Sequence, residues 1–264
     1  MSKVWFVGAG PGDPDLITVK GRDLIAKADA ILFAGSLVSR TAMQWSKDGC
    51  EVKDSKGMDL QQITNWLIEK SQVDDAQTVI RLQTGDPGLY GALIEMVQPL
   101  DLQKIDIGVV PGVSSAMASA AVGVESLTLP EVTQTVILTR VEGRTPMPEG
   151  ESIAELAQHH CTICLFLSIT LLEKIQTDLS EAGWADDAPV LVVHKASWPG
   201  EEKIVRGTLA NIREKCQAKK INSQAMIIVS PTLGSRDWTE LKKSKLYDKS
   251  FSHRFRKAQK IENV

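Results

Sequence analysis

The sequence has little of the chemistry that marks several classes of protein. Its 264 residues include only four cysteines and four histidines, and 30 basic residues are balanced by 33 acidic ones. A chain without a basic excess lacks the attraction that drives nucleic-acid binding, so we expect no nucleic-acid partner. The longest apolar run, residues 161–172, is shorter than the roughly 20 residues that span a bilayer, so we expect no membrane partner.

The sequence also shows neither the apolar core of a signal peptide nor a cysteine pattern typical of disulfides. Too few apolar residues precede the first glycine, Gly8, to form the core of a signal peptide, so we expect a cytoplasmic protein with reduced thiols. Cys161 and Cys164 form a CxxC, which could hold zinc or act in redox chemistry. Their segment is typical of a buried strand, however, where residues three apart point to opposite faces. The sequence therefore predicts no metal site.

Short β-rich runs alternate with amphipathic helical stretches in the first half of the chain. This alternation predicts βαβ units and a mostly parallel sheet. The texture changes around residues 124–133, which predicts a boundary between an N-terminal α/β domain, 1–124, and a C-terminal α/β domain, 133–235.

The second half mixes strands and helices, and it contains a Trp-Pro-Gly turn at residues 198–200 that is typical of a β-hairpin. We therefore expect a mixed sheet in the C-terminal domain. Residues 236–264 are polar and become basic toward their end, which predicts a solvated tail.

The stretch VWFVGAGPGDPDLITVKG, residues 4–21, looks like a dinucleotide-binding loop because an apolar strand runs into three glycines. Such a site needs a helix that begins directly after the glycines, so that free N–H groups and the positive end of the dipole meet the pyrophosphate. Two prolines remove donors here, and two aspartates place negative charge where phosphate would lie. These four residues are Pro11, Asp13, Pro14 and Asp15. The loop therefore disfavours phosphate, although a dinucleotide-dependent oxidoreductase and a non-catalytic binding protein stay open as alternatives.

Two further glycine-rich loops follow later strands, QTGDPGLYG at 83–91 and VPGVSSAMASAA at 110–121. All three loops should meet at the carboxyl ends of neighbouring strands, where open α/β sheets bind ligands. Their glycines would let a ligand approach the backbone closely. Asp86 and Ser114 could equally serve as helix N-caps.

At this point several segments carry a resemblance to a known family. VGAGPGDPDLITVKG, TGDPGLYG, VPGVSSA, TQTVILTRVEGRTPMPE and LVVHKASWPGEEKIVRGTL resemble, in order and over nearly the whole chain, the tetrapyrrole methyltransferases of corrin biosynthesis. TQTVILTRVEGRTP and LYDKSFSHRFR further resemble the branch that methylates ring carbon C-11.

Other branches fit the sequence less well. Uroporphyrinogen methyltransferases carry an aspartate after the second strand and an arginine after the GDP motif, where this chain has FAGSLV and Ala92. Diphthine synthases and ribosomal RNA methylases share the general fold, but their motifs match less of the chain.

The resemblance implies a two-domain α/β enzyme of the class III methyltransferase fold, usually a homodimer, that uses S-adenosylmethionine. Carried over motif by motif, it implies a donor site made of Pro11, Thr84, Gly85, Asp86, Ser114, Ser115, Ala116, Leu167 and Ala196. The last two come from the half of the chain assigned to the second domain.

Methyl transfer to a ring carbon is an in-line displacement that needs alignment and desolvation more than an acid-base pair. The acceptor implied by the family is fringed with carboxylates, which need cationic partners. Arg140, Arg144 and Lys195 are the candidates; the two arginines lie in or beside residues 140–152, expected to be a mobile loop, and could equally be surface charges. Arg81 is expected to be structural. Asp13 is one candidate for the proton lost after methylation, with another carboxylate or solvent as alternatives.

Overall fold

The computed structural model describes residues 3–74, 77–241 and 243–258, and the chain divides into two compact units. The first unit comprises Met1–Ser119 and Lys195–Lys203, and the second comprises Ala120–His194 and Ile204–Val264. The sequence suggested a later boundary and one continuous second domain. The membership of residues 195–203 in the first unit is therefore a finding that the sequence did not suggest.

The first unit is built on a five-stranded sheet in which all four pairings are parallel, which confirms the predicted parallel sheet. The strand order is β3-β2-β4-β1-β5. Its strands are β1 (Lys3–Gly8), β2 (Ala30–Phe33), β3 (Glu51–Asp54), β4 (Thr78–Gln83) and β5 (Asp106–Val110). The helices that follow these strands are α1 (Val19–Lys27), α2 (Leu60–Ser71), α3 (Leu93–Leu102) and α4 (Ser115–Gly123), the last of which continues into the second unit.

Both faces of this sheet are buried, as the unbroken apolar runs of a parallel sheet require. Val7 and Leu82 belong to the core on one face, and Phe6 and Leu32 to the core on the other. Helix α2 begins with a capping box between Asp59 and Gln62, which satisfies backbone N–H groups that the helix itself leaves free.

The second unit contains a mixed five-stranded sheet, as predicted, with strand order β6-β7-β10-β8-β9. β6 and β7 are parallel, whereas β10 is antiparallel to both β7 and β8. The strands are β6 (Val136–Arg140), β7 (Thr162–Phe166), β8 (Pro189–His194), β9 (Lys203–Thr208) and β10 (Ala225–Val229). The helices are α5 (Ile153–Leu156), α6 (Leu172–Glu181) and α7 (Ile212–Ala218).

The polar tail, predicted as residues 236–264, folds back on itself within residues 243–258. The Arg256 guanidinium donates to the carbonyls of Leu246, Tyr247 and Asp248 at 2.7, 3.3 and 2.5 Å. The basic end of the tail, SHRFRKAQK at residues 252–260, is described up to Ala258, and residues 259–264 lie outside the described residues. None of the helices in the described ranges combines the length and the apolar character that a bilayer crossing requires.

Candidate active site

The three glycine-rich loops meet at one edge of the parallel sheet, which confirms the prediction made for them. They follow β4, β1 and β5, which lie side by side in that order. The loops after β1 and β4 form a bridge, in which the Gly85 N–H donates to the Gly10 carbonyl at 2.8 Å and the Gly10 N–H donates back to Gly85 at 3.3 Å.

Backbone packs directly on backbone where the three loops meet. A Cβ atom on Gly8 would lie 2.6 Å from the Gly112 Cα, and one on Gly112 would lie 2.1 Å from the Gly85 carbonyl oxygen. No real Cβ tolerates such distances, so side chains are excluded from this point. The point where the three loops meet is therefore formed by backbone groups.

The Asp86 carboxylate holds two of the loops together. Its Oδ1 accepts the Gly88 N–H at 2.8 Å, and its Oδ2 accepts the Gly112 N–H at 2.9 Å. The alternative that Asp86 caps a helix is wrong, because a turn follows it and α3 begins only at Leu93. The corresponding alternative holds for Ser114, whose Oγ accepts the Ala116 N–H at 3.3 Å at the start of α4.

The opening loop does not have the geometry of a dinucleotide site. Asp13 caps a short 3-10 turn, Pro14–Leu16, by accepting the Asp15 N–H at 2.9 Å. Helix α1 begins only at Val19, so its N-terminus does not follow the glycines. The opening loop therefore lacks the helix N-terminus that a dinucleotide site places directly after its glycines.

The predicted donor residues differ in exposure. Pro11 and Gly85 are buried, Ala116 is fully buried, and Thr84 and Ser115 are partly exposed. With Asp86, Ser114 and the buried Ala196, these residues all belong to the first unit.

Leu167 is the one predicted donor residue in the second unit. Its backbone is left-handed, with φ of 54°, and the residue is 66% exposed. Such a conformation is uncommon for a branched residue. The following Ser168 side chain holds this turn, because its hydroxyl donates to the Phe166 carbonyl at 2.6 Å and accepts the Val141 N–H at 2.8 Å.

The sequence did not reveal that residues 195–203 contact the opening loop. The Trp198 indole N–H donates to the Pro11 carbonyl at 2.9 Å, and the Asp13 N–H donates to Ser197 Oγ at 3.1 Å. The Trp-Pro-Gly turn was a visible signal for a bend. It could not indicate a partner more than 180 residues earlier in the chain, since the two bonds span 187 and 184 residues.

The three cationic candidates have different partners. Lys195 forms an ion pair with Glu201 and lies 4.7 Å from the Trp198 ring centroid. The Arg140 guanidinium donates to the carbonyls of Thr145 and Pro146, at 3.2 and 2.6 Å, and so holds its own loop. Arg144 is exposed, and no hydrogen bond or ion pair joins it to another residue in the described ranges. Of the three candidates, Arg144 alone therefore has no charged or hydrogen-bonding partner within the part of the chain that the structure describes.

Arg81 is buried in β4, consistent with its expected structural role. Its guanidinium donates to Ser55 Oγ at 2.9 Å, and burial lowers its pKa to about 10, opposed by the charge of Asp54. Cys161 and Cys164 are buried and free. Over the residues that the structure describes, no three His, Cys, Asp or Glu side chains come together as a metal site would require.

A parallel sheet with glycine loops at its carboxyl edge, followed by a mixed-sheet unit, is the α/β architecture of the class III tetrapyrrole methyltransferases, as the similarity to their solved structures shows. The family model for tetrapyrrole (corrin/porphyrin) methylases matches residues 3–213, and the chain belongs to this family.

Individual relatives are similar over nearly their full length. The chain is 47% identical to the cobalt-precorrin-4 C(11)-methyltransferase of Priestia megaterium, over 98% of this chain and 100% of that protein. It is 42% identical to the precorrin-4 C(11)-methyltransferase of Pseudomonas aeruginosa, over 96% and 98% of the two chains. The X-ray structure of a cobalamin biosynthetic enzyme, cobalt precorrin-4 methyltransferase, superposes with a TM-score of 0.84 at 47% identity, covering 88% of this chain and 96% of that one.

Proposed function

We propose that this methyltransferase transfers the methyl group of S-adenosylmethionine to C-11 of precorrin-4 or cobalt-precorrin-4, giving the corresponding precorrin-5A. The observation that carries this proposal is similarity at 47% identity along 98% of the chain to a protein of that activity. The segments TQTVILTRVEGRTP and LYDKSFSHRFR, which pointed to the C-11 branch from sequence, support the same choice.

The residues at the sheet edge fit the methyl donor. S-adenosylmethionine supplies a methyl group on a cationic sulfonium. Glycine backbone and the hydroxyls of Thr84, Ser114 and Ser115 offer neutral hydrogen-bonding groups without cationic repulsion. Pro11, Gly85 and Ala116 complete this part of the proposed donor site, with Asp86 as the carboxylate that fixes its shape.

Leu167 and Ala196 are the remaining residues of the proposed donor site. Leu167 offers an exposed apolar side chain, and Ala196 a small buried one. Neither carries charge, which suits a donor whose positive charge disperses during transfer.

Methyl transfer requires mainly that the protein align the donor with the acceptor and exclude water. Rigid backbone contacts among Gly8, Gly85 and Gly112 support such alignment, because they leave the loops little freedom to shift. Asp13 remains a proposed acceptor for the proton released after methylation. Its Oδ1 accepts the Asp15 N–H, and its side chain is partly exposed.

Among the cations, Arg144 is the strongest proposed partner for an acceptor carboxylate, because its charge is exposed and uncommitted. Arg140 and Lys195 are proposed to act secondarily, since each already has partners within the protein. Uroporphyrinogen III is the runner-up acceptor; Ala92 is exposed at the position where that branch has arginine, and it offers no charge.

We further propose a homodimer that works in the cytoplasm. Several large apolar side chains are exposed on α3 and α4, including Ile94, Leu102 and Met117, which supports burial against a second copy. The four free cysteines support a reducing compartment. Light scattering on the purified protein would measure the subunit number.

The testing experiment incubates the enzyme with S-adenosylmethionine carrying a ¹³C-labelled methyl group and with precorrin-4, cobalt-precorrin-4 or uroporphyrinogen III in parallel. We expect one methyl group to appear at C-11 of the precorrin-4 acceptors, measured by mass spectrometry and NMR. If only uroporphyrinogen III were labelled, the protein would instead be a uroporphyrinogen III methyltransferase. Calorimetric binding of NAD or NADP in place of S-adenosylhomocysteine would contradict methyl transfer altogether.

A further inference from the structure

Residues 195–203, which we call the strap, connect β8 to β9 but belong to the first unit. The strap contacts the opening loop through two hydrogen bonds. One runs from the Trp198 indole to the Pro11 carbonyl, at 2.9 Å, and the other from the Asp13 N–H to Ser197 Oγ, at 3.1 Å. Both bonds fix backbone groups of a loop that carries a proposed donor residue.

Steric contact adds to these bonds at Gly12. A Cβ atom placed on Gly12 would lie 2.0 Å from the Trp198 Cδ1 and 2.3 Å from its Nε1. Gly12 does not have a positive φ angle, so its backbone does not by itself call for glycine. Glycine is required at this position because the indole ring of Trp198 packs against the loop and leaves no room for a Cβ atom.

The strap is itself held in an unusual conformation. Lys195 and Ser197 both have positive φ angles, 49° and 66°, which non-glycine residues rarely adopt. Glu202 stabilises the strap by accepting the Ser197 N–H at 2.7 Å, and Glu201 pairs with Lys195. Unfavourable backbone conformations persist where surrounding contacts determine them, and they cluster at functional sites.

We propose that Trp198 is a positioning residue for the methyl donor, and that it acts through the opening loop. Its indole fixes the Pro11 carbonyl and the Gly12 backbone in the orientation that the donor meets. This inference rests on the proposed donor site. It adds a residue that does not itself contact the reacting atoms.

The test measures S-adenosylhomocysteine affinity by calorimetry for Trp198→Phe, Trp198→Ala and Gly12→Ala. Trp198→Phe keeps a ring but loses the N–H donor, so affinity should fall about threefold to tenfold, the range of one neutral hydrogen bond. Trp198→Ala and Gly12→Ala should each lower it further. Trp45→Phe is the matched control, because Trp45 is a partly buried tryptophan that packs on the core of the same unit.

A double variant separates positioning from simple destabilisation. If the Gly12 methyl group harms binding only by striking the indole, Gly12→Ala combined with Trp198→Ala should bind no worse than Trp198→Ala alone. The KM for the donor should rise while the KM for the acceptor and the melting temperature stay near those of Trp45→Phe.

Wild-type affinity in Trp198→Phe and Trp198→Ala, or losses that multiply in the double variant, would overturn the inference. Failure of the proposed function would look different. In that case the wild-type enzyme would methylate no tetrapyrrole, while the effect of Trp198 on S-adenosylhomocysteine binding would still be measurable.

Discussion

Asp86 Oδ2 accepts the backbone N–H of Gly112 at 2.9 Å, and so joins the loop after β4 to the loop after β5. The intervening strand, β1, ends between these two loops, at the Gly8 contact with Gly112. One carboxylate therefore joins two of the three loops directly, and the loop after β1 packs against both of them. The Asp86 carboxylate therefore has a structural role in the arrangement of these loops.

Asp86→Asn should destabilise the protein and weaken donor binding together. An amide offers only one acceptor oxygen, so one of the two backbone N–H groups loses its partner. We expect the free energy of unfolding to fall by about 1–3 kcal/mol, as for other hydrogen bonds to charged groups. Urea denaturation and calorimetry with S-adenosylhomocysteine measure the two effects, with Asp101→Asn in exposed α3 as the control. An unchanged affinity for S-adenosylhomocysteine would show that donor binding does not depend on the hydrogen bond between Asp86 and Gly112.

Gly85→Ala should reduce donor binding more than it reduces stability. Gly85 has φ of 59°, and an added Cβ would lie 3.7 Å from the Ser114 Cα, facing the proposed donor residues. Gly49→Ala is a matched control, since Gly49 also has a positive φ, 81°, but nothing lies within 4 Å of an added Cβ. Both variants should lose about 1–2 kcal/mol of stability from the left-handed conformation. Only Gly85→Ala should lose affinity for S-adenosylhomocysteine, and Gly85→Val should abolish it.

Arg144→Ala should weaken acceptor binding and leave donor affinity intact. A carboxylate that loses its guanidinium partner costs about 1.5–3 kcal/mol, so the acceptor KM should rise at least tenfold. Arg213→Ala removes an exposed charge paired with Glu173 in α6 and serves as the control. Equal losses of donor and acceptor affinity would mean that the loop after β6 has another role.

Burial raises the pKa of Cys164 to about 12. In the unfolded chain a cysteine loses its proton near its ordinary pKa of about 8.5, whereas the folded protein keeps it until far higher pH. The folded state therefore binds more protons above pH of roughly 9, and this residue makes stability fall as the pH rises through that range. Cys164→Ala should flatten the fall, measured as melting temperature between pH 8 and 10. In the native protein at pH 8, iodoacetamide should leave Cys164 unmodified; rapid labelling would contradict its burial.

The elements that could be predicted from the sequence are those with strong apolar patterns. β1, β2 and β4 are mainly apolar strands of the sheet interior, and burial on both faces favours such strands in a parallel sheet. β3 gives no such signal in the sequence, because Glu51–Asp54 is a polar edge strand with little burial. Nothing in its composition distinguishes it from a loop.

The candidate site could be predicted only where a motif lies within one short segment. The three glycine loops met as expected because parallel strands bring their carboxyl ends together. The contact between Trp198 and Gly12 could not be predicted, since it joins distant parts of the chain by tertiary folding alone. The hydrogen bonds of Arg140 and the ion pair of Lys195 could not be predicted either, because the sequence shows the charges but not their partners.

The membership of Lys195–Lys203 in the first unit has a consequence for how the protein is made. The ribosome synthesises all five strands of the parallel sheet before it reaches the second unit. It synthesises Trp198, which contacts Pro11, only after β6, β7 and β8. A nascent chain that ends at His194 therefore has the whole first sheet without its strap. The first unit reaches its final form late in translation, when most of the second unit has already left the ribosome.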